Sequence, residues 1–164
     1  MDTKSAFTVT NINETLKKGR EGEEDLQELF RDFVCPRNPD VEHFFREQSV
    51  DFTKRSQSVT YIITEKVSFE LVAYFTLAIK PISVNAGIFS RTMRRKIERI
   101  AKVNEQTGEY LVAAFLIAQL GKNFKDGANK LITGEMLLRL ALSKITQLQD
   151  MAGGTVVFLE AQRG

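Results

Sequence analysis

The stretch from Gly121 to Gly134 carries the chemistry most easily read from this chain. Gly121, Gly127 and Gly134 punctuate a polar loop that leads into an amphipathic segment starting near Glu135. Backbone N–H groups gathered at a helix start suit a phosphate, because the first-turn donors have no intrahelical acceptor and the helix dipole favours negative charge there. Lys130 adds a positive charge inside the loop. Taken alone, glycines at this spacing also suit an ordinary strand-to-helix connection.

A second concentration of charge lies at 80–102, where seven basic side chains (Lys80, Arg91, Arg94, Arg95, Lys96, Arg99, Lys102) stand against one acid, Glu98. On a helix, Arg91, Arg95, Arg99 and Lys102 share a face. That is the footprint of a nucleic-acid phosphate backbone or of a solvated helix face, and the arginines could also clasp the phosphates of a small ligand. The remaining reactive types are sparse. With a single cysteine, Cys35, and a single histidine, His43, the chain offers neither an internal disulfide nor a His/Cys metal cluster. Cys35 follows an apolar stripe and reads as a small buried hydrophobe, and His43 as a surface or boundary residue. Tyr61, Tyr74 and Tyr110 fall within strand patterns, as core side chains with hydrogen-bonded hydroxyls or as lining of a substrate gap.

These groups need elements to position them. Residues 6–11 alternate weakly and give a first strand, and 12–22 are polar and mixed in charge. Leu26, Leu29, Phe30, Phe33 and Val34 then fall at helical spacing from Glu23 until Pro36 stops the helix. Asn38-Pro39-Asp40 is a helix start, with proline where its missing N–H costs least. Val41, Phe44, Phe45, Gln48 and Phe52 mark the inner face of that second helix. Residues 59–64 and 69–79 read as paired strands around an atypical turn at Val67-Ser68, with Pro81 ending the second. A loop with Gly87 follows, then a short basic helix marked by Met93, Ile97, Ile100 and Ala101, then a polar turn at 104–108. The last block is an apolar run from Tyr110, the glycine loop, an amphipathic helix over 135–149, the pair Gly153-Gly154 and an apolar run at 155–160. A connection of that length suits two parallel strands crossed over by a helix. The order is β-α-α-β-β-α-β-α-β, an α/β chain with a mixed sheet.

With 164 residues, 43% hydrophobic and 27% charged, the chain is sized for one domain over 1–164 with an ordinary core. The longest apolar run is 110–118, interrupted at Gln119, far short of a membrane span. No apolar segment follows the first residues, so no secretory signal is expected, and the cytoplasm is the default compartment.

The element order, with its parallel pair late in the chain, resembles the GNAT superfamily of acetyl-CoA-dependent N-acetyltransferases. The stretches that carry the resemblance are Asp40-Val41-Glu42-His43-Phe44-Phe45, Val72-Ala73-Tyr74-Phe75-Thr76-Leu77-Ala78, Leu116-Ile117-Ala118-Gln119-Leu120-Gly121-Lys122-Asn123, Ile132-Thr133-Gly134-Glu135-Met136-Leu137-Leu138 and Val156-Val157-Phe158-Leu159-Glu160. The extra basic helix at 91–101 is similar to that of the acetyltransferase toxins of bacterial toxin–antitoxin pairs.

That resemblance implies a GNAT-like fold and acetyl-CoA as co-substrate. It also implies a primary-amine acceptor, in the toxin-like case an aminoacyl-tRNA, with an antitoxin protein as a further partner. Leu120, Gly121 and Lys122 would offer backbone groups to the acetyl and pantetheine arms. Asn129, Lys130, Leu131, Ile132, Thr133 and Gly134 would receive the pyrophosphate, and Glu160 would act as base through water. The family's phosphate loop usually reads Gln/Arg-x-x-Gly-x-Gly/Ala, of which the stretch 129–134 keeps only the final glycine. The family also continues past its fifth strand with a helix, often bearing a tyrosine general acid, and a hairpin, whereas here four residues follow Glu160. A C-terminally incomplete fold is therefore expected: truncated, shortened, or completed by a partner. An unprotected last strand would then favour a homodimer. The alternative function is a non-catalytic GNAT-like module that contacts nucleic acid or a protein through the basic helix 91–102.

Overall fold

The computed structural model describes residues 6–154 and 156–159. Its centre is a six-stranded mixed sheet. Strand β1 (Phe7–Asn11) pairs antiparallel with β2 (Val59–Glu65), β2 with β3 (Leu71–Asn85), and β3 with the long β5 (Glu109–Lys122). The short β4 (Val103–Asn104) flanks the start of β5, and β6 (Val156–Leu159) runs parallel to β5. That parallel pair is bridged by the helix α6 (Gly134–Ala152), as the spacing of the apolar runs requires.

Between β1 and β2 the chain forms four short helices: α1 (Ile12–Leu16), α2 (Arg20–Arg31), α3 (Pro39–His43) and α4 (Ser49–Lys54). The polar, charge-mixed stretch 12–22 is helical rather than irregular. In the structure Asn11 caps α1, its Oδ1 accepting from the Asn13 N–H at 2.9 Å, and Ile12 is fully buried. Gly19, at a φ of +74°, separates α1 from α2, so α2 begins before Glu23. Between α3 and α4 lies one π turn, Phe44–Gln48. It advances the helical phase, so Ser49, Val50 and Thr53 turn inward while Gln48 and Phe52 are only half-buried. Ser49 Oγ donates to the Phe45 carbonyl at 2.6 Å, satisfying an acceptor at the turn.

The sheet buries two faces. Under α6 the core is mostly aliphatic, including Ile63, Val72, Ile117, Leu137, Leu140 and Ile145. Under α1–α4 it is built around a cluster of aromatic rings. Phe45 stacks on Phe30 and Tyr74 with ring centroids 3.9 and 4.3 Å away, and Phe33 meets Tyr74 edge-on at 5.3 Å.

Strand β3 runs through Pro81 to Asn85, contrary to the expectation that Pro81 ends it. The reason lies in the sheet edge. Pairing with β2 stops at Val59↔Leu77, so beyond that point β3 has β5 on one side only, where proline is tolerated. The result is a β3–β5 ribbon that extends past the body and carries α5 (Arg91–Glu98). Ile97, Tyr110 and Val112 form its small core, and the Tyr110 hydroxyl bonds Glu98 Oε1 at 3.0 Å.

Candidate functional site

Strand β5 supplies the first feature. Its register against β3 jumps from Thr76↔Gln119 to Leu77↔Ile117, leaving Ala118 as an extra residue. Such a bulge bends a strand and re-aims its side chains. The consequence is visible in the lining of one cavity, where the consecutive residues Ala118 and Gln119 both take part. The last described parallel pair of β5 with β6 is Ile117↔Leu159, immediately before the bulge.

Leu120 packs on the α6 core, and Gly121 is packed against the opposite layer. A Cβ at Gly121 would overlap Val41 Cγ1 and come within 2.8 Å of Tyr74 Cε1, so the missing side chain is explained by packing. Lys122 points Nζ at the Asn129 and Ile132 carbonyls, 3.4 Å from each, and so draws the loop back towards the strand end. Asn123, which the sequence reading did not single out, holds the loop to the body. Its Oδ1 accepts from the Val34 and Lys125 N–H groups, both at 3.1 Å, and its Nδ2 donates to the Leu71 carbonyl at 2.9 Å.

Beyond a left-handed turn at Asp126-Gly127, the loop reaches the start of α6. Ile132 is buried in the core and anchors it there, while Lys130, Leu131, Thr133 and Gly134 are exposed and Asn129 is half-buried. Thr133 caps the helix, its Oγ1 accepting from the Met136 N–H at 3.1 Å. The Gly134 and Glu135 N–H groups are first-turn donors without intrahelical acceptors. Nothing lies within 4 Å of a Cβ placed on Gly134, so the space before the helix is open. The structure thus brings residues 129–134 together at one helix start, with 120–122 on the strand leading to it. Glu160 lies outside the described residues.

A cavity of about 370 Å³ opens beside the bulge, on the face of α1–α4. Phe44, Phe52, Ala78 and Leu116 form its apolar walls, and Gln57, Ser58, Lys80 and Gln119 its polar ones. This size suits a small ligand or group, since such sites occupy about 300–1,000 Å³. A second cavity of about 260 Å³ lies on the α6 face, between Tyr61, Leu77, Phe115 and Leu148, and also reaches Ser58. Ser58 is 7% exposed, and its Oγ is buried without a hydrogen-bond partner. Neither Gln57 nor Ser58 drew attention in the sequence, because both look like ordinary turn residues. The available signal was Gln119, a polar residue inside an apolar strand.

Other reactive groups lie apart. Burial pushes the Cys35 thiol up, and its backbone N–H donates to Glu42 Oε1 at 2.8 Å. His43 is exposed on α3. The Tyr74 hydroxyl donates to the Val41 carbonyl at 2.7 Å, and burial pushes this phenol far above its usual range. Arg91, Arg95, Lys96, Arg99 and Lys102 are exposed on and just after α5. Within the ribbon, Lys80↔Ala114, Ile82↔Val112 and Val84↔Tyr110 are cross-strand pairs. By strand alternation α5, packed on Ile82, Tyr110 and Val112, shares the sheet face of the larger cavity, to which Lys80 and Leu116 contribute. No helix among the described residues is long and apolar enough to cross a membrane.

No family model matches the sequence, and no curated protein matches it. Solved structures do resemble the fold. AtaT complexed with acetyl-methionyl-tRNAfMet superposes with a TM-score of 0.64 at 15% identity, covering 96% of this chain and 79% of that one. A KacT mutant gives 0.65 at 16% identity over the same shares of the two chains. AtaTR bound with AcCoA gives 0.54 at 13% identity, covering 97% and 77%. At these identities the likeness establishes the architecture, and the chain has the mixed-sheet, GNAT-like fold that its element order implies.

Proposed function

We propose that this chain, taken as one domain, is an N-acetyltransferase that moves an acetyl group from acetyl-CoA to a primary amine, with aminoacyl-tRNA as the acceptor class. The observation that carries the reading is the bulge at Ala118, next to the last described β5–β6 pair, Ile117↔Leu159, and upstream of an open helix start. A bulge interrupts regular pairing and so suits an extended amide-bearing arm, and the helix start suits a pyrophosphate. In this reading Leu120, Gly121 and Lys122 border the acetyl and pantetheine arms. The backbone of 129–134 and the Lys130 ammonium receive the phosphates.

The amine lone pair forms a C–N bond to the thioester carbonyl, and the C–S bond breaks. One proton leaves the amine, and the departing thiolate takes one up. Backbone N–H groups at the bulge stabilise the oxygen as charge develops on it. Glu160, next after Leu159, is the proposed base through water.

The acceptor assignment rests on charge and position. From Lys80 at the cavity to Asn85 at the ribbon's end the strand spans roughly 17 Å, at about 3.3 Å per residue. The exposed basic helix therefore stands within reach of a nucleic acid whose aminoacyl end enters the cavity. AtaT is solved with an acetylated methionyl-tRNA and with the C-terminus of the antitoxin AtaR, which supports tRNA and an antitoxin as partners to test. A homodimer through the outer edge of β6 belongs to the same reading, and strictly monomeric sedimentation counts against it.

Calorimetric titration with acetyl-CoA at two salt concentrations tests the core of the proposal. Saturable, roughly stoichiometric binding that weakens with salt is expected, followed by thiol release when aminoacyl-tRNA is added. A folded sample that ignores acetyl-CoA yet binds tRNA in a salt-dependent way would replace the enzyme with a nucleic-acid-binding module.

A further inference from the structure

Between Gly127 and Gly134 the loop has no glycine, so residues that carry side chains must hold its backbone in one shape. The Leu131 N–H donates to the Ala128 carbonyl at 3.1 Å and closes the 3₁₀ segment Lys125–Lys130. The Asn129 carbonyl near its end and the Ile132 carbonyl just before α6 both accept from the Lys122 ammonium, 3.4 Å from each. Lys122 is the half-buried last residue of β5, opposite Ala73 of β3. The described peptide bonds are trans, and in a trans peptide the C=O and the following N–H point in opposite directions. With the Ile132 carbonyl turned to Lys122, the Thr133 N–H points away from that ammonium. The Ile132 side chain, 1% exposed, fixes the same peptide from the core.

We infer that the Lys122 side chain is a positioning residue for the diphosphate: its ammonium holds the loop carbonyls to one side, so that the Thr133 N–H joins those of Gly134 and Glu135 in facing the anion. This rests on the acetyl-CoA reading above, which uses Lys122 only through its backbone. Two of the three ammonium donors go to the carbonyls, and the ligand is met by the loop's N–H groups instead. Without the ammonium the Ile132 peptide is held from the core side alone and can rotate. A carbonyl turned to the phosphate repels it where an N–H attracts it. Lys130 acts differently: it is exposed and contributes charge through solvent, whereas Lys122 contributes orientation.

The test compares the ¹⁵N-labelled full chain as wild type, as Lys122→Met, which keeps most of the stem and removes the charge, and as Lys122→Arg. Three probes are titrated: acetyl-CoA, ADP (the diphosphate without the pantetheine arm) and S-acetylpantetheine (the arm without phosphate). In the free protein Lys122→Met is expected to shift the amide signals of residues 129–134 while keeping the Tm within about 2 °C. It is expected to weaken acetyl-CoA and ADP about fivefold, the weight of one hydrogen bond lost, and to leave S-acetylpantetheine unchanged. Lys122→Arg, which keeps the donors, is expected to restore most of the affinity. The loss in Lys122→Met should persist between about 0.1 and 1 M salt, as the screening length falls from about 10 Å to about 3 Å, because orientation is not screened.

Unchanged 129–134 signals in free Lys122→Met, an equal loss for S-acetylpantetheine, or a loss that disappears at high salt would overturn the inference. The last would make the ammonium a direct phosphate contact. Wild-type binding separates the two claims. ADP that binds at the loop and is weakened by Lys122→Met, in a protein that ignores acetyl-CoA, sinks the transferase reading alone. Acetyl-CoA binding that Lys122→Met leaves untouched sinks the positioning role alone, and a folded wild type that binds neither ligand overturns both.

Discussion

The two faces of the sheet are built on different terms. Under α6 a single 19-residue helix closes an aliphatic core, and its first turn leaves backbone N–H groups open. Under α1–α4 four short helices and a π turn close a core rich in aromatic rings, and a cavity opens among side chains. A long helix forms a continuous lid because its apolar stripe repeats without interruption. Short helices meet at ends and corners, and the corner after α4 is where Gln57 and Ser58 border the cavity. The comparison teaches that one face leaves open backbone donors at a helix start and the other opens a cavity among side chains.

The largest expected effect tests which face carries more stability. Phe45→Ala removes a ring that contacts Phe30, Phe33 and Tyr74, and is expected to cost about 4 kcal/mol. Ile145→Ala on the α6 face is expected to cost about 3 kcal/mol. Urea denaturation of both variants measures the difference. A smaller loss for Phe45→Ala would mean that the aromatic layer is looser than its stacking suggests.

Gly121→Ala comes next. The added methyl overlaps Val41 and crowds Tyr74, and overpacking of this kind costs about 1–3 kcal/mol. Combining it with Val41→Ala should recover part of that loss, giving a coupling of about 1 kcal/mol in a double-mutant cycle. Strict additivity would show that Gly121 is kept for close approach by something other than this packing.

The same contrast explains what could be read from the residues. The face built on one long period was legible: the apolar run at 110–120, the amphipathic stretch at 135–149 and the strand at 155–160 correspond to β5, α6 and the parallel β6. The other face was legible in its aromatics but not in its phase, because a π turn leaves no mark on a pattern of single apolar residues. Helix α1 went unseen because a five-residue helix has too few turns to establish a period. Pro81 was misjudged because the rule about proline depends on how many neighbours a strand has, which is a tertiary fact. The loop at 121–134 could be proposed because its chemistry is in the backbone. The cavity could not, since its walls come from 44–58, 78–80 and 116–119, far apart in sequence.

A smaller effect sharpens the claim for the α6 face. Lys130 is exposed, so reversing its charge should leave the Tm within about 1 °C, as surface substitutions do. If the loop holds the pyrophosphate, Lys130→Glu should weaken acetyl-CoA about fivefold, near 1 kcal/mol for one screened charge pair reversed. Unchanged acetyl-CoA affinity by calorimetry would remove the loop from the site.

The smallest effect concerns the far end of the cavity face. Arg95→Glu lies on exposed α5, beyond the small core of Ile97, Tyr110 and Val112, so it should affect neither folding nor acetyl-CoA binding. For tRNA it should raise Kd by about threefold near physiological salt, because each exposed charge pair contributes under about 1 kcal/mol. The more telling quantity is the salt dependence. Each phosphate contact contributes roughly 0.7–0.9 to the slope of log K against log salt, and Arg95→Glu should lower that slope by about one contact. A loss of affinity with an unchanged slope would mean that Arg95 supports the shape of the ribbon. A changed slope would place nucleic acid on α5, on the same sheet face as the larger cavity.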